Sequence, residues 1–126
     1  MANKPVNSPN APAAIGPYSH SVLANGNMQF ISGQLGIDPT TGKMADTVEE
    51  QAVQAFANLG AILKETDMDY SNIVKTLVFL TDMSDFAEVN KIYATYFPEN
   101  PPARSAVAVA ALPMGAKFEI EAVAVK

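Results

Sequence analysis

Apolar runs along the chain predict five β-strands. The first two, Tyr18 to Ala24 and Met28 to Ile37, flank the tripeptide NGN, which is a strong hairpin signal. The third, Asn72 to Asp82, is rich in β-branched and apolar residues, as is typical of a strand covered on at least one face. The last two are Arg104 to Ala110 and Lys117 to Val125. A short connection joins them, so hairpin logic makes them neighbours.

Two other segments repeat apolar residues with the period of an α-helix. The first starts at Asp46 or Thr47, either of which can cap it, and its apolar face carries Val48, Ala52, Phe56, Leu59 and Leu63. The second starts at a cap formed by Ser84 or Asp85, and its apolar face carries Phe86, Val89, Tyr93 and either Tyr96 or Phe97.

These elements predict one α+β domain over residues 1–126, in the order β-β-α-β-α-β-β. Residues 1–17 are rich in proline and asparagine and are expected to form an irregular lead-in. Both helices are expected to cover one face of a single sheet. The segments SAVAVAAL and FEIEAVAV are apolar on both faces, which favours another subunit as the cover of the second face.

The composition narrows the possible classes of function. The 126 residues include no cysteine, which excludes disulfides, thiolate nucleophiles and cysteine-bound metals. The net charge is −5 and the lysines are scattered, so nucleic-acid binding is not expected. No apolar run approaches the length of a membrane span, and the N-terminus lacks a hydrophobic signal segment. We therefore expect a cytoplasmic protein without a membrane anchor.

The charged residues of the last two predicted strands suggest a binding site. Arg104 is the only arginine, and a guanidinium can hold a carboxylate by two parallel hydrogen bonds. An ordinary exposed residue would fit the same position. On the last strand, Glu119 and Glu121 share a face with Val123 and Val125. A glutamate close to Arg104 would form either a simple ion pair or the base of a site for a small carboxylate.

Three further positions invite a structural and a functional interpretation. Ser32 and Gly33 interrupt an apolar strand, which indicates a bulge or a close approach to the backbone. Tyr18 follows Gly-Pro at a strand start. There it can serve either as a packing residue or as a hydrogen-bonding residue. His20 is the only histidine, and nothing near it in sequence supplies the partners of a metal site or a catalytic triad. No phosphate-binding glycine motif is present.

Five segments follow one another from about Ala11 to Val125: APAAIGPYSHSV, FISGQLGIDPTTGK, VKTLVFLTDMSDFAEVN, FPENPPARSAVAVAALP and FEIEAVAV. Taken together, they closely resemble the RidA (YjgF-type) family of reactive-intermediate imine deaminases. The resemblance implies a chorismate-mutase-like α+β domain that assembles as a homotrimer with a central barrel. It also implies three sites in clefts between subunits.

The same resemblance implies an activity. The family hydrolyses 2-imino acids, or their 2-aminoacrylate-type enamine tautomers, to 2-oxo acids and ammonia, without a cofactor or metal. By resemblance, Arg104 grips the substrate carboxylate and Glu119 holds and activates the attacking water. The residues implied to line or contact the pocket are Tyr18, Ser32, Gly33, Asn90 and Ala106.

Two positions depart from the common pattern of the family. Ala106 stands where many relatives have cysteine; the backbone carbonyl implied to contact the water is retained, but thiol-based regulation is not. His20 stands where glutamine is frequent.

Two other functions stay open: a non-catalytic module that binds 2-oxo acids as a sensor, and an RNA-acting or chaperone-like protein. The acidic composition argues against the RNA-acting role.

Overall fold

The computed structural model describes residues 3–126. Within these residues, six strands form two sheets. The smaller sheet pairs β1 (Lys4–Val6) with β2 (Ser21–Leu23) in antiparallel orientation. The larger sheet has the strand order β3-β6-β4-β5. Its members are β3 (Met28–Leu35), β4 (Ile73–Leu80), β5 (Ala103–Ala108) and β6 (Phe118–Val125).

Two helices connect the strands of the larger sheet. Helix α1 (Val48–Lys64) leads from β3 to β4, and helix α2 (Phe86–Tyr96) leads from β4 to β5. β6 is antiparallel to both β3 and β4, whereas β4 and β5 are parallel. The result is an α+β domain with a mixed sheet, whose outer strands are β3 and β5.

Both helices pack on one face of the larger sheet, as predicted. The predicted apolar face of α1 is buried, and so are Phe118, Ile120, Ala122 and Ala124 of β6. The α2 residues Val89 and Tyr93 join the same core. On the opposite face, Phe30 is 72% exposed and Met28 is 58% exposed. A large apolar surface of this kind marks an interaction site more often than a free surface.

The helix starts agree in part with the predicted caps. Thr47 caps α1 in a capping box: its hydroxyl accepts from the Glu50 N–H, and the Glu50 carboxylate accepts from the Thr47 N–H. At α2, neither Ser84 nor Asp85 caps through its side chain. A short 3₁₀ turn, Met83–Asp85, precedes the helix, and the Asp82 carboxylate accepts the Ser84 N–H of that turn.

Several predictions about the N-terminal strands are wrong. Residues 1–17 are not wholly irregular, because β1 lies within them. The NGN segment does not connect a hairpin: β2 pairs with β1, and β3 pairs with β6. Gly26 instead approaches the chain end, where the Asn27 N–H donates to the Lys126 carbonyl at 2.8 Å. The structure therefore has two sheets where one was predicted, and its sequence of strands and helices begins with an additional strand, β1.

The predicted pairing of the last two strands is also wrong. β4 lies between β5 and β6, so the last two strands are not neighbours. The burial of the side chains gives the reason. β6 buries one complete face and part of the other, which suits an inner position, whereas β5 is short, rich in alanine and nowhere fully buried. None of the helices within residues 3–126 is both long and apolar enough to cross a lipid bilayer.

Candidate active site

Arg104 lies on the helix-covered face of β5, where residues of α2 contact its side chain. Its Nη1 donates to the Asn90 Oδ1 at 2.7 Å. Three aromatic rings surround the guanidinium: the Cζ atom lies 4.7 Å from the ring centroid of Tyr93, 5.4 Å from that of Phe86 and 5.6 Å from that of Tyr18. Each of these distances is within the range of a cation–π contact. The side chain is therefore held by an amide and an aromatic cage.

This environment has opposing effects on Arg104. Burial lowers the pKa of the guanidinium, and the phenols of Tyr93 and Tyr18 raise it by smaller amounts. Arginine stays protonated in proteins, so the group remains a cation. A cation that has lost part of its hydration, and whose remaining N–H groups face a cavity, binds an anion more strongly than an exposed one would.

A cavity of about 240 Å³ lies beside the guanidinium, and Tyr18, Asn90 and Ala106 line it together with Arg104. Tyr18 is brought there because the chain next to it is tied to the start of β5. The Ser19 Oγ donates to the Pro101 carbonyl at 2.6 Å, and the Ser19 N–H donates to the Pro102 carbonyl at 3.1 Å. Ala106 faces the cavity because it is two residues from Arg104 on the same strand.

Glu119 lies with Gly33 at a different place on the sheet. β3 has a register irregularity between Ile31 and Gln34, so the predicted bulge is present at Ser32 and Gly33. The Glu119 carboxylate lies so close to Gly33 that a Cβ atom there would overlap it. Both structural interpretations of this glycine therefore hold: the strand is bulged, and a functional group approaches its backbone. Ser32 is exposed beside it.

Arg104 and Glu119 do not meet within one chain. Arg104 is opposite Thr76 in β4, and Glu119 is opposite Phe79, three residues farther along. The two positions are thus two strand spacings apart, roughly 10 Å, and roughly 10 Å apart along the strands. Since side chains alternate along a strand, they also project from opposite faces of the sheet. A small molecule cannot contact both in one subunit.

The site residues expected from the resemblance therefore fall into two separate groups, which we call half-sites. The Arg104 half-site contains Tyr18, Asn90, Arg104 and Ala106; the Glu119 half-site contains Ser32, Gly33 and Glu119. Arg104 and Ala106 lie on the outer strand β5, Ser32 and Gly33 lie on the other outer strand, β3, and Glu119 lies on β6, the neighbour of β3. Sequence reasoning assigned Phe86 and Tyr93 to the core and missed their place around Arg104. The signal was available, because Phe86, Asn90 and Tyr93 are spaced i, i+4 and i+7 on α2 and so share one helix face.

His20 does not belong to either half-site. Its Nδ1 accepts from the Ser8 N–H at 3.1 Å, and its Nε2 lies 2.6 Å from the Pro12 carbonyl, to which it donates. With Nδ1 as the acceptor, the ring donates through Nε2. It fixes the segment that precedes Tyr18. Among residues 3–126, no group of three or more histidine, aspartate or glutamate side chains is arranged to hold a metal ion.

Comparison with known proteins agrees with the motifs of the sequence. The family model described as Endoribonuclease L-PSP matches residues 8–126. The chain is 52% identical to Reactive Intermediate Deaminase A, chloroplastic, of Arabidopsis thaliana over 94% of its own length and 64% of that protein. It is also 52% identical to the 2-iminobutanoate/2-iminopropanoate deaminase of Mus musculus, over 100% of this chain and 93% of the relative.

The fold has close counterparts among solved structures. The RidA of the Antarctic bacterium Psychrobacter sp. PAMC 21119 superposes with a TM-score of 0.78 at 41% identity, covering 98% of this chain and 99% of that one. Because the family model and these relatives cover nearly the whole chain, the protein belongs to the Endoribonuclease L-PSP family, and its resemblance to RidA-type proteins is confirmed.

Proposed function

We propose that the protein hydrolyses 2-imino acids and their enamine tautomers to 2-oxo acids and ammonia. The observation that carries the proposal is the Arg104 half-site: one guanidinium, held by Asn90 and three rings, borders a cavity of a size suited to a small carboxylate. The similarity to the mouse deaminase supports the same conclusion. The direct test is turnover of 2-iminobutanoate, generated in situ by an amino-acid oxidase.

The active unit in this proposal is a homotrimer. The two half-sites lie toward opposite edges of the sheet, the second with Gly33 on β3 and Glu119 on the adjacent strand β6, so contact of β5 in one copy with β3 of the next would bring Arg104 and Glu119 close together. Repeated head-to-tail contacts of this kind close into a ring. The exposed apolar face of the sheet, with Phe30 and Met28, would then line the central barrel implied by the RidA-type resemblance.

Arg104 orients the substrate by two hydrogen bonds to its carboxylate. The imine carbon is already electrophilic, so the reaction needs a positioned water and a route for protons more than a strong nucleophile. Glu119 of the neighbouring subunit accepts a proton from the water as the water oxygen bonds to the imine carbon, and it passes that proton to the nitrogen, which takes the electron pair of the C=N bond. The backbone carbonyl of Ala106 contacts the same water.

The second stage removes ammonia. The addition product carries a hydroxyl and an amino group on the same carbon. Glu119 accepts the hydroxyl proton as the C=O bond forms and passes it to the amino nitrogen, so the C–N bond breaks and ammonia leaves. The products are a 2-oxo acid and ammonia, and the carboxylate regains its starting state. An enamine enters the same sequence once a proton is added at its terminal carbon and another is lost from its nitrogen, which gives the imine.

RNA cleavage is the second candidate, because the family to which the chain belongs is described as Endoribonuclease L-PSP. The net charge of −5 and the scattered lysines oppose binding to a phosphate backbone. A ribonuclease assay with the Arg104→Ala variant separates an intrinsic activity from a contaminating one. A sensor of 2-oxo acids, the other alternative, would bind the product without turning over the imine.

The first prediction concerns assembly and the composition of the site. Light scattering should give three times the mass of the 13.4 kDa chain at micromolar concentration. Arg104→Ala and Glu119→Gln trimers, each nearly inactive alone, should regain activity when unfolded together and refolded as a mixture. Random mixing leaves both residues intact at about one quarter of the sites if each site joins two subunits.

A site within one subunit would gain no activity from the mixture of the two variants, because neither variant carries both residues, and a matched mixture controls for the refolding itself. Two batches of the Arg104→Ala variant refolded together contain no intact site and should stay inactive. A stable monomer, or mixed trimers no more active than the two parents, would contradict the shared site.

The second prediction concerns the carboxylate clamp. Arg104→Lys keeps the charge but loses the paired hydrogen bonds, and charge-assisted bonds contribute about 1.5–3 kcal/mol. We expect kcat/KM to fall by about 10- to 150-fold. The control is Lys64→Arg, a charge-conserving exchange at an exposed position near the end of α1. Activity of Arg104→Lys within twofold of the parent would mean that this arginine is not the clamp.

The third prediction separates the two glutamates of β6. Glu119→Gln keeps the shape of the side chain but removes its ability to accept a proton, so kcat should fall at least about a hundredfold in an intact trimer. Glu121 lies opposite Leu77 on the exposed face. Glu121→Gln is therefore the matched control: it should alter thermal unfolding or assembly and reduce kcat much less. The reverse ranking of the two kcat values would show that Glu121 is the base.

The fourth prediction concerns His20. Glutamine can reproduce both of its hydrogen bonds, since its carbonyl can accept from Ser8 and its amide can donate to Pro12. His20→Gln should therefore leave turnover nearly unchanged, as measured by kcat and KM. A hundredfold loss in a correctly folded variant would return the imidazole to the mechanism. His20→Ala, which keeps neither bond, measures what the fixed segment contributes.

A further inference from the structure

Two hydroxyl groups are buried directly beneath the Arg104 half-site. Thr76 and Tyr93 are both 0% exposed, and their side-chain oxygens lie 2.7 Å apart. Burial raises the pKa of Tyr93 to about 12, so its phenol stays neutral. The pair thus forms a neutral hydrogen bond in an otherwise apolar layer between α2 and the sheet.

The position of this pair relative to Arg104 is specific. Thr76 is the residue of β4 directly opposite Arg104 in the parallel ladder. The ring of Tyr93 is the closest of the three rings to the guanidinium. On its remaining sides it packs against Phe56 and Phe97, with ring centroids 5.9 and 4.8 Å away. Its hydroxyl bond therefore fixes the tilt of a ring that touches Arg104.

The pair also aligns α2 with the sheet. Among residues 3–126, two side-chain hydrogen bonds join α2 to the larger sheet: Thr76 with Tyr93, and Arg104 with Asn90. Phe86, Asn90 and Tyr93 share one helix face. If the hydroxyl bond sets the rotation and height of that face, it also sets where Asn90 and Phe86 meet the guanidinium.

Stability alone does not explain why these hydroxyls are present. Replacing both members of a buried hydrogen bond with apolar groups of the same shape is close to neutral for folding. A valine and a phenylalanine would fill the same space. We therefore propose that the Thr76–Tyr93 hydroxyl pair orients the Arg104 guanidinium, so that both residues are positioning residues for carboxylate binding. This proposal rests on the proposed role of Arg104 in deamination.

The test uses the single variants Thr76→Val and Tyr93→Phe, the double variant that combines them, and Thr76→Ser. Each of the first two leaves one buried hydroxyl unpaired and should lower the Tm. Each should also raise KM about tenfold with kcat changed much less, because the clamp acts on bound substrate and transition state alike. The double variant should recover the Tm yet keep the raised KM. Thr76→Ser keeps the hydroxyl and should keep the parental KM.

A matched control is provided by Tyr70. Its hydroxyl donates to the Phe56 carbonyl at 2.6 Å, away from Arg104. Tyr70→Phe should lower the Tm without raising KM. The proposal is overturned if the double variant regains the parental KM along with its Tm, or if KM stays within twofold of the parent in the single variants. Should the single variants fail to fold, the double variant carries the comparison, since it leaves neither hydroxyl unpaired.

A second readout does not depend on turnover. Because the chain has a single arginine, ¹⁵N-arginine labelling gives the NMR signals of one guanidinium. In the parent protein and in Tyr70→Phe, the Nη signals should be resolved, as expected for restricted rotation. In the double variant they should average. Averaged signals in the parent, or resolved signals in the double variant, would refute the positioning role. A parent protein with resolved signals and no deaminase activity would refute only the proposed function.

Discussion

The partial burial of one guanidinium is the constraint on which the candidate site depends. Removing a cation from water is costly unless other groups replace the lost hydration. Here the Asn90 amide oxygen accepts a hydrogen bond from one N–H group, and three aromatic rings contact the charge. The same side chain lines the cavity, where its further donors can bind an anion. In a chain with a net charge of −5, this local arrangement supplies the attraction for an anion that the overall field does not.

The topology explains how α2 comes to form the wall of that site. Because β4 and β5 are parallel neighbours, the chain must cross over the sheet between them, and α2 is that crossover. A crossover helix packs across the strands it connects, so one face of α2 lies over β5. β6 then inserts between β3 and β4, which separates Glu119 from Arg104 and moves the two half-sites to opposite sides of the sheet.

The sequence predicted the helices and strands better than it predicted which strands are paired. Periodicity identified α1, α2 and the buried face of β6, because burial on one face leaves a local pattern in the sequence. It did not predict that β6 occupies an inner position, because strand order depends on contacts between distant segments. The hairpin at NGN failed for the same reason: Gly26 is needed to approach the Lys126 carbonyl, not to reverse the chain between paired strands. Arg104 and Glu119 were expected to lie close because the last two strands were predicted to be neighbours, and the observed strand order separates them.

A divided site places different demands on its two halves. The Arg104 half-site must be rigid, because two hydrogen bonds to a carboxylate require a fixed guanidinium plane, and the cage around it supplies that rigidity. At the Glu119 half-site, the absence of a side chain at Gly33 on the bulged strand β3 leaves the space that the carboxylate occupies. In the proposed trimer, association has to set the distance between this carboxylate and the Arg104 guanidinium. For the addition of water to an electrophilic carbon, the placement of groups contributes more than the strength of any one of them. Placement is what the contact between two strand edges can supply.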